Sequence, residues 1–345
     1  MRCAAVALVI ALSSSGTATA ESLAVDEPVE HEVSTSRRVI AVAAAVIPGI
    51  FVRGLGSWIV GETRTAKRLL ATAAIGVGAG AIGGAPIGLG GGSPYTTPGL
   101  PLVIVGGGLA LTTWIADIAV AAGLERPGVA RAVAPWSVEL GTSWLHDAYR
   151  ERALIRAAGT YELSRFGFGA STFVDPEGDS ITVDGEIRVR ILDRDGMRLG
   201  ARTLIRRHRD DLDRVTLVTG EAEAVTRIEL SRLDPVLAGQ FVDLGLGLGI
   251  EHARYPNGES GNSSLLLGGF AWGAFIGNKG EVRLFYDHRR DSLAGGLAAW
   301  RAAGFVGSFG AALDFAVARN WSVRGELEVG NAYLSTFAIR YRGGL

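Results

Sequence analysis

From Trp136 to the end of the chain, apolar side chains return at every second position, which is the period of a β-strand and not of a helix. In "WSVELGTSWL", Trp136, Val138, Leu140 and Trp144 share one face and Glu139 takes the other. In "ERALIRAAGTYEL", Ala153, Ile155, Ala157, Tyr161 and Leu163 lie opposite Arg152, Arg156 and Glu162. The parity then flips, so that "FGFGASTFV" carries its apolar set at Phe166, Phe168, Ala170 and Val174. A two-residue hairpin at Ser164-Arg165 demands that flip, because directly paired residues share a face of the sheet. The pattern continues through "ITVDGEIRVRI", a turn at "DRDG", "MRLGARTLIR", residues 214 to 230, "FVDLGLGLGIEHARY", "SLLLGGFAWGAFI", "EVRLFYDHR", residues 305 to 318, "WSVRGELEV" and "YLSTFAIRYR". Together these segments predict about twelve strands. The G-x-G-x-G run in the seventh is part of this pattern: Leu244, Leu246, Leu248 and Ile250 alternate with glycines, and neither a following helix nor a Lys-Ser/Thr ending makes it a phosphate loop.

Between Val39 and Gly123 the pattern is different, with apolar and small residues dominating without alternation. "VIAVAAAVIPGIFV" predicts a short helix broken at Pro48-Gly49, "TRTAKRLLATAAIGVGAGAIGG" a second with a basic start, and "PGLPLVIVGGGLALTTWIADIAVAAG" a third with Trp114 and Asp117 near its far end. Glycines 76, 78, 80, 83, 84, 90, 91 and 92 lack the context of a nucleotide loop and point to close helix packing through small residues. The order Pro48-Gly49, Gly54-x-Gly56, Gly61 and Ala66-x-x-Leu69-Leu70 resembles the glycine-punctuated helical hairpins of various bacterial envelope proteins, a likeness over about 35 residues that implies no chemistry. The sequence leaves open whether residues 39–123 span a membrane, plug a barrel or sit in the periplasm.

At the N-terminus, Arg2, an apolar core from Ala4 to Leu12 and Ala18-x-Ala20 ahead of Glu21 have the layout of a secretory signal peptide cleaved after Ala20. The expected organisation is a signal peptide over 1–20, a polar leader over 21–38, the glycine-rich helical region over 39–123, a linker over 124–135 and a barrel over 136–345. Cys3 is the only cysteine of the 345 residues, so the exported chain has no disulfide and no zinc spacing. Lys plus Arg (34) nearly cancels Asp plus Glu (35), which gives no footprint for nucleic acid. No cofactor is implied.

Alternation alone does not name the solvent of a barrel, since a soluble barrel is apolar inside and a membrane barrel apolar outside. The non-apolar face decides. In the seventh, eighth and tenth segments it is largely Gly, Ala and Ser, which suits a crowded lumen, and in the fourth, fifth, sixth, ninth and eleventh it carries arginines and acids in nearly equal number. Arg188, Arg190, Arg198, Arg202, Arg206, Glu221, Glu223, Glu281, Arg283 and Glu326 are the expected lumen-lining residues. Trp136, Trp144, Tyr161, Phe166, Trp321, Tyr333 and Tyr341 fall near strand ends on the apolar parity, where interfacial girdles sit. At this point residues 136–345 resemble the Gram-negative outer-membrane β-barrel class. The last strand, with Tyr333, Phe337, Ile339 and Tyr341 at alternate positions, resembles the C-terminal signal read by that class's assembly machinery, although "RGGL" runs on past Tyr341. The resemblance implies an all-β transmembrane antiparallel up-and-down barrel, an outer-membrane location, contact with outer-membrane lipid and passage through the barrel-assembly machinery.

Three functions follow as expectations. The first is a narrow or closed channel whose lumen is crossed by Arg-carboxylate pairs, with the N-terminal helices as a further means of narrowing it. The second is a barrel anchor whose residues 39–123 bind an envelope partner. The third is an outer-membrane hydrolase with a site on the rim near His146, His252 and His288; the adjacent pairs His146-Asp147 and Asp287-His288 point to opposite faces of a plain strand, and no Ser-His-acid spacing is recognisable, so no catalytic residue is assigned.

Overall fold

Twelve antiparallel strands close on themselves, each hydrogen-bonded to its neighbours in sequence and the first to the last. The computed structural model describes residues 33–90, 99–123, 134–147, 151–211, 214–288 and 307–344. The strands are β1 Trp136–His146, β2 Glu151–Leu163, β3 Phe166–Val174, β4 Ser180–Arg194, β5 Met197–Asp210, β6 Val215–Glu229, β7 Gln240–Arg254, β8 Ser260–Ile276, β9 Gly280–Asp287, β10 Ser308–Ala316, β11 Trp321–Val329 and β12 Tyr333–Gly343. The β1–β12 seam runs without a break from Trp136 opposite Gly343 to His146 opposite Tyr333. Ser164, at φ 52°, turns β2 into β3 with Leu163 paired to Phe166, so the parity flip in the sequence falls where the hairpin needs it. The expected signal peptide over 1–20 and most of the expected linker over 124–135 lie outside the described residues.

The apolar parity faces outward. Leu140, Ile205, Leu248, Ile250 and Phe337 are each more than half exposed, a band that water would not tolerate on a free surface of this extent and that hydrocarbon would. Aromatic rings border it. Trp136 and Trp321 pack on Tyr341 at ring distances of 5.5 and 4.9 Å near the end that holds both barrel termini, and Tyr286 packs on Phe309 at 5.0 Å toward the other. Beyond the band at the far end the outward parity turns polar, with Arg207, Arg209, His252 and Arg254 exposed.

Among the described residues four helices precede the barrel, α1 Thr35–Val46, α2 Leu55–Val60, α3 Thr63–Gly90 and α4 Leu100–Ala122, with a 3-10 turn at Pro48–Ile50. The chain from Thr35 onward, helices and barrel together, forms one unit. α3 and α4 make a hairpin whose backbones touch: a Cβ on Gly106 would lie 2.4 Å from the Gly76 carbonyl oxygen, and one on Gly83 would lie 2.4 Å from that of Gly99. The glycine runs are thus packing surfaces. α3 over Thr63–Ile87 and α4 over Leu100–Ala122 are both long and apolar enough to cross a membrane.

The hairpin lies on the outer wall of the barrel and not in its lumen, which corrects the expectation that the helices narrow the interior. Gly268, Phe270, Trp272 and Ala274 of β8 belong to the outward parity, yet Ile104 covers Gly268, Gly108 lies against the Phe270 ring, and Trp272 and Ala274 are buried with Ala116 and Ala119. Four residues of helix rise about 6 Å and two of strand about 6.6 Å, so the matching steps 104 to 108 and 268 to 270 set α4 alongside β8, running the same way. The lumen is lined by paired charges, whereas the outward face of β8 offers an apolar surface on which Gly268 and Ala274 leave room for α4. At the terminal end the β6–β7 connection, longer than the turns beside it, closes over the hairpin: Leu230 and Leu237 join Leu69 of α3, and Arg68 donates to Asp234 at 3.2 Å.

The packing yields a sharp contrast between adjacent glycines. Gly106→Leu, forced into the α3 backbone, should cost about 1–3 kcal/mol and release the hairpin to limited proteolysis. Gly107→Leu should do neither, since a Cβ there meets nothing within 4 Å. Equal protease sensitivity of the two variants would show that the hairpin does not pack in this register.

Candidate functional site: an ion-paired lumen

Every strand of the barrel presents its second parity to the axis, and the charges gathered there pair across neighbouring strands. The densest knot lies on the closing seam. Glu139 of β1 is 2% exposed and accepts hydrogen bonds from Arg156 of β2 and from Nε of Arg340 of β12 at 2.9 Å, with Arg324 of β11 at 3.7 Å. Arg340 also reaches Asp314 of β10, which Arg342 contacts at 2.7 Å. One carboxylate therefore faces three guanidinium groups in a space that excludes most water, an arrangement that holds only because further acids share the arginines.

A second knot joins β6, β7 and β9. Arg227 donates to both oxygens of Asp243, at 2.7 and 2.9 Å, and to Glu281 at 3.3 Å, while Arg283 reaches Asp243 at 2.9 Å. The guanidinium carbon of Arg227 stands 3.8 Å above the Phe241 ring, which is itself fully buried against Gly273. Bidentate pairing below and an aromatic face beside it fix this arginine in one place. On β4 and β5, Arg206 pairs with Asp184 at 2.7 Å, Arg202 with Glu223, and Arg188 with Glu162 and Glu186, each at 3.0 Å. Arg188 and Arg202 are directly opposed across the β4–β5 ladder, so these acids are what relieves two like charges on one face.

The glycine run of β7 is explained by the same chemistry. A Cβ on Gly245 would lie 2.0 Å from a carboxylate oxygen of Glu223, and one on Gly247 would meet the backbone of β6 at 2.2 Å. The glycines leave room over β7 for the Glu223 carboxylate, which Arg202 holds from β5. The run is a bay for a neighbouring carboxylate and not a cradle for phosphate.

Two cavities, of about 760 and 450 Å³, occupy the interior. The larger is lined by Arg188, Arg190, Arg198, Arg202, Arg206, Glu223, Arg283 and Glu326 of the sequence-expected set, and Glu281 lines the smaller. Glu221 lies on the inward parity of β6, buried, outside both cavities. The walls common to the two cavities include Arg188, Arg198, Arg227, Arg283 and Arg324 together with Glu162. These come from β2, β4, β5, β6, β9 and β11, so a belt dominated by guanidinium groups encircles the lumen where one cavity meets the other. Sequence reading missed Glu139, Arg227, Asp243, Asp314, Arg324 and Arg340 as lining residues, although each sits on the parity opposite the apolar set.

The rim histidines are each committed elsewhere: His146 pairs with Glu151 at 2.9 Å, His252 with Asn262 at 2.8 Å, and His288 with the Tyr286 hydroxyl at 2.6 Å. His208 is buried and hydrogen-bonded to Thr182 at 2.8 Å. Among the described residues no group of His, Cys, Asp and Glu could hold a metal ion.

No protein-family model matches the sequence, and no curated protein matches it. Solved structures of outer-membrane barrels are similar in fold. KdgM porin, solved in complex with disordered oligogalacturonate, aligns over 60% of this chain and 99% of its own at TM-score 0.40 and 7% identity. NanC porin aligns over 60% of this chain and 100% of its own at TM-score 0.41 and 7% identity. Omp33 of Acinetobacter baumannii aligns over 61% and 98% at TM-score 0.34 and 10% identity. The chain itself is a closed twelve-stranded antiparallel up-and-down β-barrel, with a helical hairpin added to its outer wall.

Proposed function

We propose that this chain spans the outer membrane of a Gram-negative bacterium as a narrow channel, its lumen cross-braced by Arg-carboxylate pairs and constricted at the arginine belt. One observation carries the reading: side chains sort by parity, large apolar ones to an exposed outer band and ionic ones to a paired interior. The belt sets the selectivity. A small anion crossing it exchanges water for guanidinium donors, whereas a cation meets like charge in a low-dielectric space. Passage is slow, because each of the five belt arginines already holds an acid.

Single-channel recording in planar bilayers tests this. The wild type should give a small conductance with a reversal potential favouring anions. Replacing both Arg227 and Arg283 by Gln removes two belt charges and should raise the cation share several-fold. Absence of any conductance in wild type and variant, at every salt concentration, leaves the ion pairs with a purely structural role.

A second reading is favoured by the place of the hairpin. Since α3 and α4 lie on the wall and leave the lumen untouched, the helical region can serve as a working module for which the barrel is the anchor. Copurification from cells of the full chain, compared with a chain lacking residues 39–123, separates the two, and a barrel that conducts equally without the helices assigns the two parts separate roles.

A further inference from the structure

Between Thr35 and Leu70 the surface combines two features that a water-facing domain does not combine. Val39, Ile40, Ile47, Phe51, Val52 and Trp58 are all exposed, Phe51 at 87% and Ile47 at 73%. Within the same stretch six basic residues face a single acid, Glu62, although the whole chain is nearly neutral. The apolar side chains are not a frayed surface. α1 presents Ala41 and Ala45 to Ala121 of α4, and Gly56 of α2 fits between Ala45 and Ala121 so closely that a Cβ would clash with both at 2.7 and 2.8 Å. The small residues bind the layer to the hairpin and the large ones are turned away from it. The basic residues bracket the apolar run in sequence, Arg37 and Arg38 before it, Arg64 and Lys67 after it.

The layer sits at the terminal end of the barrel. α2 docks on the last turns of α4, and the first turns of α3 are held by Arg68 to Asp234 in the β6–β7 connection. The exposed apolar side chains are therefore continuous with a wall already facing hydrocarbon, and the positive charges lie beside them. A fixed apolar layer flanked by Arg and Lys is the chemistry of an interfacial anchor for negatively charged lipid.

We propose that the α1–α2 layer binds the leaflet at the terminal end of the barrel and recognises anionic phospholipid headgroups through Arg64 and Lys67. The proposal rests on the membrane-spanning reading of the barrel. Its test uses the full chain in nanodiscs and reads Trp58, as the difference between wild type and Trp58→Phe, under quenching by phospholipids brominated near the headgroup. Brominated phosphatidylglycerol should quench Trp58 several-fold more effectively than brominated phosphatidylcholine at equal mole fraction, and Arg64→Gln with Lys67→Gln should abolish that preference. Millimolar inorganic phosphate should leave it unchanged. Equal quenching by the two lipids, or loss of the preference in free phosphate, overturns headgroup recognition. No quenching by either lipid overturns the anchor, and cross-linking between Trp58 surfaces of two copies would assign the layer to self-association instead. A barrel that stays heat-modifiable on gels in the same samples shows that such a failure belongs to the layer and not to the membrane-spanning fold.

Discussion

Glu139→Ala should destabilise the barrel by about 3–5 kcal/mol, the cost of breaking a buried ion pair by removing one partner. The carboxylate accepts hydrogen bonds from Arg156 and Arg340 and forms an ion pair with Arg324, and its removal leaves guanidinium groups facing one another in a space with little water. The damage falls on the one seam that no hairpin closes, because Glu139 pairs in register with Arg340 between the first strand and the last. Neighbouring strands elsewhere follow one another in the chain; here the ladder and its ionic bridge act alone. The urea midpoint of the heat-modifiable species is the measurement. Glu139→Gln, which keeps the shape and part of the hydrogen bonding, should fall between wild type and Ala. Combining Glu139→Ala with Arg156→Met should recover part of the loss, since one orphaned charge goes with its partner. Asp195→Asn, at a pair whose side chains are 78% and 72% exposed, should shift the midpoint within error. A Glu139→Ala midpoint as close to wild type as that of Asp195→Asn would mean that water already screens the knot.

Much of the barrel could be read from local pattern, and the reason is physical: strand parity is a nearest-neighbour property. The flip at Ser164-Arg165, the alternation of β4 with its turn at Asp195-Gly196, and the glycine parity of β7 are all written within a few residues. The ends of strands are less local. β8 begins four residues before the apolar run that announced it, because Ser260 to Ser263 pair with β7 beyond the apolar band, where polar outward residues are tolerated. The bulge between Arg190 and Leu192 has no local signature either. Partners are the least legible feature. Arg188 and Arg202 declared themselves by crowding on adjacent strands, but Glu139 finds Arg340 two hundred residues away, and nothing near either names the other. The helices were legible as helices and not as neighbours. Their glycines spoke of close packing, and only the outward parity of Phe270 and Trp272 beneath them shows which side of the wall they chose. The six-residue helix Leu55–Val60 went unread because no periodicity can show in so short a span.

Asp117→Leu should separate the fate of the helices from that of the barrel. Asp117 is fully buried on α4 and accepts hydrogen bonds from the backbone N–H groups of Gly54 and Gly56, both at 3.1 Å, and of Ser57 at 2.7 Å, and from the Ser57 hydroxyl at 2.6 Å. These N–H groups are the unpaired donors at the start of α2, so a side chain from another helix caps it, and the positive end of the helix dipole favours the negative charge. Gly54 is required there: at φ 85° it turns the chain into α2, and a Cβ would lie 2.6 Å from the Ala66 carbonyl oxygen. Leucine fills the volume but leaves four buried donors without an acceptor, at roughly 1–3 kcal/mol each before relaxation. A helix of six residues has too little hydrogen bonding of its own to survive that loss. Proteolysis between Arg37 and Arg68 should therefore rise by at least tenfold, while the barrel, closed through β1 and β12 without help from α2, keeps its heat-modifiable mobility. Asp117→Asn, which retains one acceptor oxygen, should lie between. Unchanged proteolysis in Asp117→Leu would show that α2 is held by apolar packing alone, and simultaneous loss of the barrel would show that the helices are part of its fold and not an addition to its wall.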